Sequence, residues 1–360
     1  MKTKIIFIVP SITISHYKNR ILEFVERGYD VEVYGYERST HSKNKDLPYK
    51  YHIIGNIEDG SYIDRINLHR RNFAEIGKKY RGEKVVYYLC GLDIAMFFTL
   101  INPKATYIYE ECDLVHTYTK VKNILRWIDK RIIKKSLLSV LTSEGFLKYH
   151  FGANRPDNVC LVENKLNPGI LNCKLLEKTK QSEGSLSIGF VGIPRFDSVY
   201  NFIDVFCRNY PQYTFHIFGG PIPEQFQSLT KYSNCHFHGF FNNPVDLPRI
   251  YSQIDLVLAT YDVECDNVRY AEPNKLYESI YFETPIIVSE GTFLSEKVES
   301  LGIGFSINPL NEDCIKRFID NLSLNQVKNN IARIDKEYSI SNNSHLFNKL
   351  EELLAIVCVE

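Results

Sequence analysis

Every apolar run in this chain is shorter than the ~18 residues that a membrane-spanning helix requires, so membrane contact is expected to be peripheral at most. The first run, Ile5 to Val9, is too short for a secretory core and lacks a cleavage site. It reads as the first buried strand of a cytoplasmic protein. Nine cysteines, at positions 90, 112, 160, 173, 207, 235, 265, 314 and 358, include no C-x-x-C pair. The odd number and the scatter argue against a disulfide framework or a C-x-x-C zinc site and fit reduced thiols. No G-x-G-x-x-G, Walker-type Gly-Lys loop or Ser-His-Asp signature is present, which disfavours a nicotinamide or flavin dehydrogenase and the common hydrolases. Net charge is missing as well: Lys+Arg and Asp+Glu both number 43. A nucleic-acid partner held by bulk charge is thereby excluded.

That zero conceals an asymmetry. Residues 1–180 carry 30 basic and 20 acidic side chains, and the remainder carries 13 and 23. At 360 residues the chain is also too long for one ordinary domain. Short β-rich runs alternate with segments of helical period throughout, the pattern of parallel strands joined by crossover helices. Strands are expected at 4–9, 30–36, 84–90, 106–111, 137–142 and 158–162, with helices at 17–27, 62–79, 92–100 and 120–135. The polar stretch 173–185 is the natural linker, after which strands recur at 186–191, 214–218, 235–240, 255–260, 285–289 and 304–307. The fold class is therefore α/β, with two doubly wound Rossmann-like domains, 1–175 and 186–338, facing across a cleft. An amphipathic helix within 339–360 closes the chain.

In doubly wound domains, ligands bind beyond the carboxyl ends of the strands. The most informative loop and helix there is Glu272-Pro273-Asn274-Lys275-Leu276-Tyr277-Glu278. Pro273 suits the first turn of a helix whose free N–H groups attract an anion. Lys275 opposes the helix dipole at that position, which suggests a bound phosphate and not helix stability. Glu278, three residues on, lies near the same face and has the chemistry to accept hydrogen bonds from a sugar diol. A solvated amphipathic helix with Leu276 and Ile280 facing the core accounts for the same pattern. His216, His236 and His238 cluster without a nearby carboxylate, so no metal is expected.

The P-N-K-L-Y-E run, followed by a short apolar strand, resembles the donor-binding helix of GT-B glycosyltransferases, particularly the retaining family 4 enzymes. Residues 213–220 (YTFHIFGG), 235–241 (CHFHGFF) and 247–260 are similar to successive elements around that family's donor site, and Gly192 to Arg195 to its G-x-x-Arg phosphate loop. In the first half, 107–114 (YIYEECDL) and 141–146 (LTSEGF) resemble two of its strand ends. The resemblance implies transfer of a sugar from a nucleoside-diphosphate-sugar to a glycan, in bacterial surface-polysaccharide assembly with a lipid-linked acceptor, and with retention. It implies donor contacts from Gly192, Arg195, Gly220, Gly239, Phe240, Glu272, Pro273, Asn274, Lys275, Leu276 and Glu278. Arg195 and Lys275 would stabilise the departing diphosphate, with no metal or other cofactor. Glu111 and Asp113 are the first-domain catalytic candidates, and His16 faces the acceptor. The last helix would cross back to the first domain.

Two departures stand out. Tyr270 occupies the position of the first Glu in the family's E-x7-E motif, leaving Glu264, Asp266 or Glu272 to substitute, and Cys112 replaces the usual strand-end His. They leave open a donor-binding relative without catalysis, and a sugar-nucleotide epimerase of the same two-domain shape is the enzyme alternative. The basic excess concentrates in residues 120–135 (KVKNILRWIDKRIIKK), where Asp129 is the single acid. Helical spacing groups Val121, Ile124, Leu125, Ile128 and Ile132 on a core face and sets Arg126, Lys130 and Lys134 opposite. That basic face fits either an anionic membrane surface, with Trp127 as an interfacial anchor, or plain solvation.

Overall fold

The computed structural model describes residues 3–12, 14–37, 47–56, 62–178 and 184–357. The chain forms two compact units, Met1–Val162 with Asn343–Glu360, and Glu163–Asn342. The first boundary falls at Val162, ahead of the polar stretch expected to mark it. Residues 163–172 belong to the second unit because Leu166 forms a parallel bridge with Ile340, and Ile170 is enclosed in that unit's core. Lys178, within the polar stretch, donates to the carbonyls of Tyr251 and Ile254 and to the Thr284 hydroxyl, anchoring the segment to the same unit. Residues 179–183 lie outside the described residues.

The first unit holds a sheet of seven strands, β1 Lys4–Val9, β2 Asp30–Glu37, β3 Lys50–Asn56, β4 Val85–Cys90, β5 Tyr107–Glu111, β6 Leu138–Leu141 and β7 Val159–Leu161. Their order is β3-β2-β1-β4-β5-β6-β7, with every pairing parallel. Uninterrupted runs such as Ile-Ile-Phe-Ile-Val in β1 are what helices covering both faces of a parallel sheet require. Strand β3 is absent from the sequence-based expectation. It is a half-exposed edge strand interrupted by Gly55, without the apolar run that marks a central one.

The helix Ser344–Val357 completes this unit's core. Leu346, Phe347, Leu350 and Leu354 are buried in the cluster that includes Phe7, Phe24 and Tyr88. Phe347 packs 4.8 Å from Phe24, and Lys349 Nζ donates to the Val159 carbonyl.

The second unit repeats the plan with β8 Ser187–Val191, β9 Thr214–Phe218, β10 Cys235–Phe237, β11 Leu256–Ala259, β12 Ile286–Ser289 and β13 Gly304–Ile307. The order is β10-β9-β8-β11-β12-β13. Buried residues form one cluster around Phe202, Phe206 and Phe215 and another around Tyr251, Leu276 and Tyr277. In each unit the chain steps outward for three strands and then returns past the first. The switch points lie between β1 and β4 and between β8 and β11, and a crevice opens there at the strands' carboxyl ends.

Candidate functional site

Three adjacent strands of the second unit, β8, β9 and β10, are followed by glycines at their carboxyl ends. Gly192 follows β8 with φ +129°, Gly219 follows β9 with φ +151°, and Gly239 lies just beyond β10 with φ +72°. Gly192 N–H donates to the Phe218 carbonyl at 2.7 Å, and Gly219 bridges Gly239. A Cβ at Gly219 would lie 2.1 Å from the Gly192 carbonyl oxygen, so only glycine permits this approach. Gly220 sits against Gly239, where a Cβ would be 3.4 Å from the Gly239 Cα. Phe240, next in the loop, is 79% exposed.

The helix Asn274–Tyr281 points its first turn at this platform. Pro273 is the N-cap and not the first helical residue, and it supplies no side-chain cap. Lys275 reaches over the Phe190 ring at 4.7 Å, with Nζ 3.6 Å from where a Gly192 Cβ would stand. Arg195, exposed in the loop after Gly192, lies 5.1 Å from the Phe196 ring. Neither cation forms an ion pair among the described residues. Glu278 is buried beneath Lys275 and accepts the Tyr251 hydroxyl at 2.6 Å. Burial raises its pKa, against the opposing pull of Tyr251 and Lys275. Leu276 faces the core and Asn274 is exposed.

Glu272, one of the proposed substitutes for the missing motif acid, is otherwise engaged. Its buried carboxylate accepts from Lys297 and from the Tyr277 hydroxyl, and Lys297 bridges on to Glu163 at 2.9 Å. These contacts tie the start of the motif to Tyr277 and Lys297. The sequence reading also missed Asp262. Its two carboxylate oxygens accept the N–H groups of Asp197 and Ser198 at 3.1 and 2.9 Å, capping the helix Asp197–Asn209. Those amides are filled by the protein's own anion.

At the corresponding end of the first unit, Glu110 and Glu111 point to opposite faces of β5, as successive strand residues must. Glu110 is the acid beside His16: Oε1 is 3.0 Å from His16 Nε2 and 3.3 Å from two Arg20 nitrogens, while the Tyr88 hydroxyl donates to Oε2 at 2.7 Å. Burial alone would raise its pKa, but Arg20 and His16 hold it at about 2. Cys112 Sγ is 3.2 Å from His16 Nε2, and Asp113 is exposed. Glu111, expected to be catalytic, is 1% exposed and enclosed with His150 and Asp129.

The basic helix, Lys122–Lys135, keeps Ile132 buried and Lys134 exposed as expected, but Val121 and Ile124 are exposed where a core face was expected. Arg126 donates to the Tyr149 carbonyl and stacks on the Tyr149 ring, Lys130 lies 5.2 Å from the Phe151 ring, and Asp129, Ile132 and Ile133 are buried. Ile124 and Trp127, at 62% and 59% exposure, face outward with Val121, Arg131, Lys134 and Lys135. The exposed face therefore mixes apolar and basic side chains. No described helix is long and apolar enough to cross a membrane.

No family model and no curated protein matches the chain. Solved structures do. Sucrose-phosphate synthase from Thermosynechococcus elongatus superposes with a TM-score of 0.71 at 13% identity, covering 99% of this chain and 100% of that one. HepE from Anabaena, solved in complex with UDP-glucose, gives 0.67 at 14% identity over 99% and 100%. The lipopolysaccharide outer core galactosyltransferase WaaB gives 0.64 at 14% identity over 98% and 99%. The chain thus shares the GT-B fold, two parallel-sheet α/β domains of seven and six strands.

Proposed function

We propose that the protein is a glycosyltransferase that takes a nucleoside-diphosphate-sugar in its second unit. The observation that carries this reading is the pair of cations, Lys275 and Arg195, that have no ion-pair partner among the described residues, beside a backbone platform whose close approach at Gly219 only glycine permits. The diphosphate lies over Gly192 and Gly219, the nucleobase toward Gly239 and the exposed Phe240, and the ribose diol against Glu278. Burial raises the Glu278 pKa, and its carboxyl oxygens have lone pairs with which to accept from a diol. Lys275 and Arg195 stabilise the charge that accumulates on the leaving diphosphate, electrostatic catalysis by cations already in position. These two charges meet the need that a metal ion serves elsewhere, so we propose no metal in the transfer itself.

The relatives of this fold include a galactosyltransferase of lipopolysaccharide and a protein crystallised with UDP-glucose. In keeping with them we propose a UDP-sugar donor, transfer with retention as in family 4, and a lipid-linked glycan acceptor of a surface polysaccharide. His16, Glu110 and Asp113 at the end of β5 are the acceptor-side candidates. The outward face bearing Ile124, Trp127 and Arg131 suits an anionic bilayer, with the apolar side chains entering the interface and the basic ones meeting headgroups. The protein would then be cytoplasmic and peripheral.

Replacing Lys275 or Arg195 by alanine is expected to weaken UDP-sugar binding about tenfold to a hundredfold, the roughly 1.5–3 kcal/mol of a hydrogen bond to a charged group, with an unchanged melting temperature. Calorimetric titration of UDP-glucose measures it. Unchanged affinity in both variants refutes the donor site.

A further inference from the structure

The carboxyl group of Glu278 is held by one neighbour. The Tyr251 hydroxyl donates to its Oε2 at 2.6 Å, and no other hydrogen bond to that carboxyl group forms among the described residues. So short a contact is that of a hydroxyl donating to a charged oxygen, a hydrogen bond roughly twice as strong as a neutral one. The hydroxyl is itself fixed in place. Tyr251 lies in the helix Leu247–Ser252, is 1% exposed, and stacks on Phe282 with ring centroids 4.6 Å apart and planes 10° from parallel. Its carbonyl accepts from Lys178 Nζ at 2.8 Å. Phe282 directly follows the helix Asn274–Tyr281, and its N–H donates to the Glu278 carbonyl at 2.9 Å. One aromatic residue therefore grips this helix twice, by its ring at the helix end and by its hydroxyl at the carboxyl group.

The consequence is directional. The last torsion of a glutamate side chain has broad, shallow wells, so an unheld carboxyl group swings through a wide arc. Pinning Oε2 to a rigid phenol leaves Oε1 one direction to face. A diol then meets an acceptor already aimed, without the ordering cost that a mobile side chain adds to binding. The hydroxyl also remains a donor: burial, and after it the nearby Glu278 charge, hold the Tyr251 pKa well above its ordinary 10.

We infer that Tyr251 is the positioning residue through which this chain selects ribonucleotides over deoxyribonucleotides. The inference rests on the assignment of Glu278 to the ribose diol and adds the residue that sets the strength of that contact. Tyr251 is buried and acts through Glu278, not on the nucleotide. It lies 27 residues before Glu278 in the chain, where an aromatic side chain reads simply as core, so nothing in the sequence singles it out.

The test is calorimetric titration of UDP and 2′-deoxy-UDP into the full-length wild-type chain and its Glu278→Ala and Tyr251→Phe variants. The wild type should bind UDP about tenfold or more tighter than 2′-deoxy-UDP, the loss expected for one hydrogen bond to a charged group, and Glu278→Ala should abolish the difference. Tyr251→Phe, which removes a single oxygen atom, should lower the preference about threefold or more and leave 2′-deoxy-UDP affinity unchanged. A purely structural role would weaken both nucleotides alike. That result, or an undiminished preference in Tyr251→Phe while Glu278→Ala lacks one, overturns the inference and leaves the donor site standing. A wild-type chain that binds neither nucleotide, binds both equally, or has a preference that survives Glu278→Ala refutes the assignment of Glu278 instead, and the inference falls with it. If Tyr251→Phe alone does not fold, because a buried carboxyl oxygen is left unpaired, Tyr251→Phe with Glu278→Ala is compared with Glu278→Ala. Equal affinities for both nucleotides are expected, since Tyr251 acts only through Glu278, and a further loss in the double variant overturns the inference.

Discussion

Lys297 shows how the donor motif is supported by residues outside it. Its ammonium joins Glu272, at the head of the motif, to Glu163, and Lys165 adds a second cation at 3.0 Å from Glu163. Burial would raise the Glu163 pKa, but the two lysines lower it. A carboxyl group with a folded pKa below its ordinary 4.5 contributes stability that is fully present above that value and lost as pH falls through the folded one. Lys297→Met should therefore destabilise the second unit by about 3 kcal/mol at pH 7, as expected when one partner of a buried pair is removed. It should also flatten the loss of stability below pH 4.5. Urea titrations at pH 7 and pH 4 measure both; an equal difference between wild type and variant at the two values would exclude this role. Lys275 and Glu278 could be singled out in the sequence because both lie in one short motif, although their contacts, Phe190 and Tyr251, lie far from it in the chain. Glu110 could not be, since choosing it over Glu111 depends on the phase of β5, and a slip of one residue exchanges the faces. Asp262 was hidden for a different reason: the helix it caps begins 65 and 64 residues earlier in the chain.

Among the elements, the central strands and most helices could be read from periodicity, whereas β3 and the orientation of the helix Lys122–Lys135 could not. Period shows that a helix is amphipathic, but it does not say which stripe finds the better partner. Here Arg126 and Lys130 find an aromatic ring each on the neighbouring helix, and the apolar stripe through Ile124 and Trp127 is left outside. This changes which substitutions test membrane association. Trp127→Ala with Arg131→Glu should lower binding to phosphatidylglycerol vesicles about tenfold or more, given roughly 1 kcal/mol per basic residue near an anionic surface, and should leave UDP-glucose affinity unchanged. Lys130→Glu should act mainly on folding. Co-sedimentation and thermal melting separate the two effects. Undiminished sedimentation of the Trp127 and Arg131 double variant would leave the exposed face without this role.

For the whole molecule, the two-unit α/β architecture was legible because both halves repeat the strand-helix alternation. The boundary was not. Composition locates a polar stretch, whereas the units divide according to which core encloses Leu166, Ile170 and the final helix. Leu346, Phe347, Leu350 and Leu354 each contribute about 1.5–3 kcal/mol by burial. Ending the chain at Asn342 is therefore expected to remove more than the ~5–15 kcal/mol that stabilises a typical domain at its lower end. Such a truncation should unfold the first unit and leave nucleotide binding by the second intact, measurable as one surviving melting transition that UDP-glucose shifts upward. A single unshifted transition, or a first unit that melts normally, would contradict it.

The closing helix also orders events during synthesis. The second unit is continuous in sequence, whereas the first keeps an uncovered apolar surface around Phe24 until residues 344–357 emerge. For the time it takes to translate some 180 residues, the nascent first unit shows an apolar surface that only the last segment of its own chain can cover. A chaperone would have most to do during that interval, and a premature stop near residue 342 would make the interval permanent.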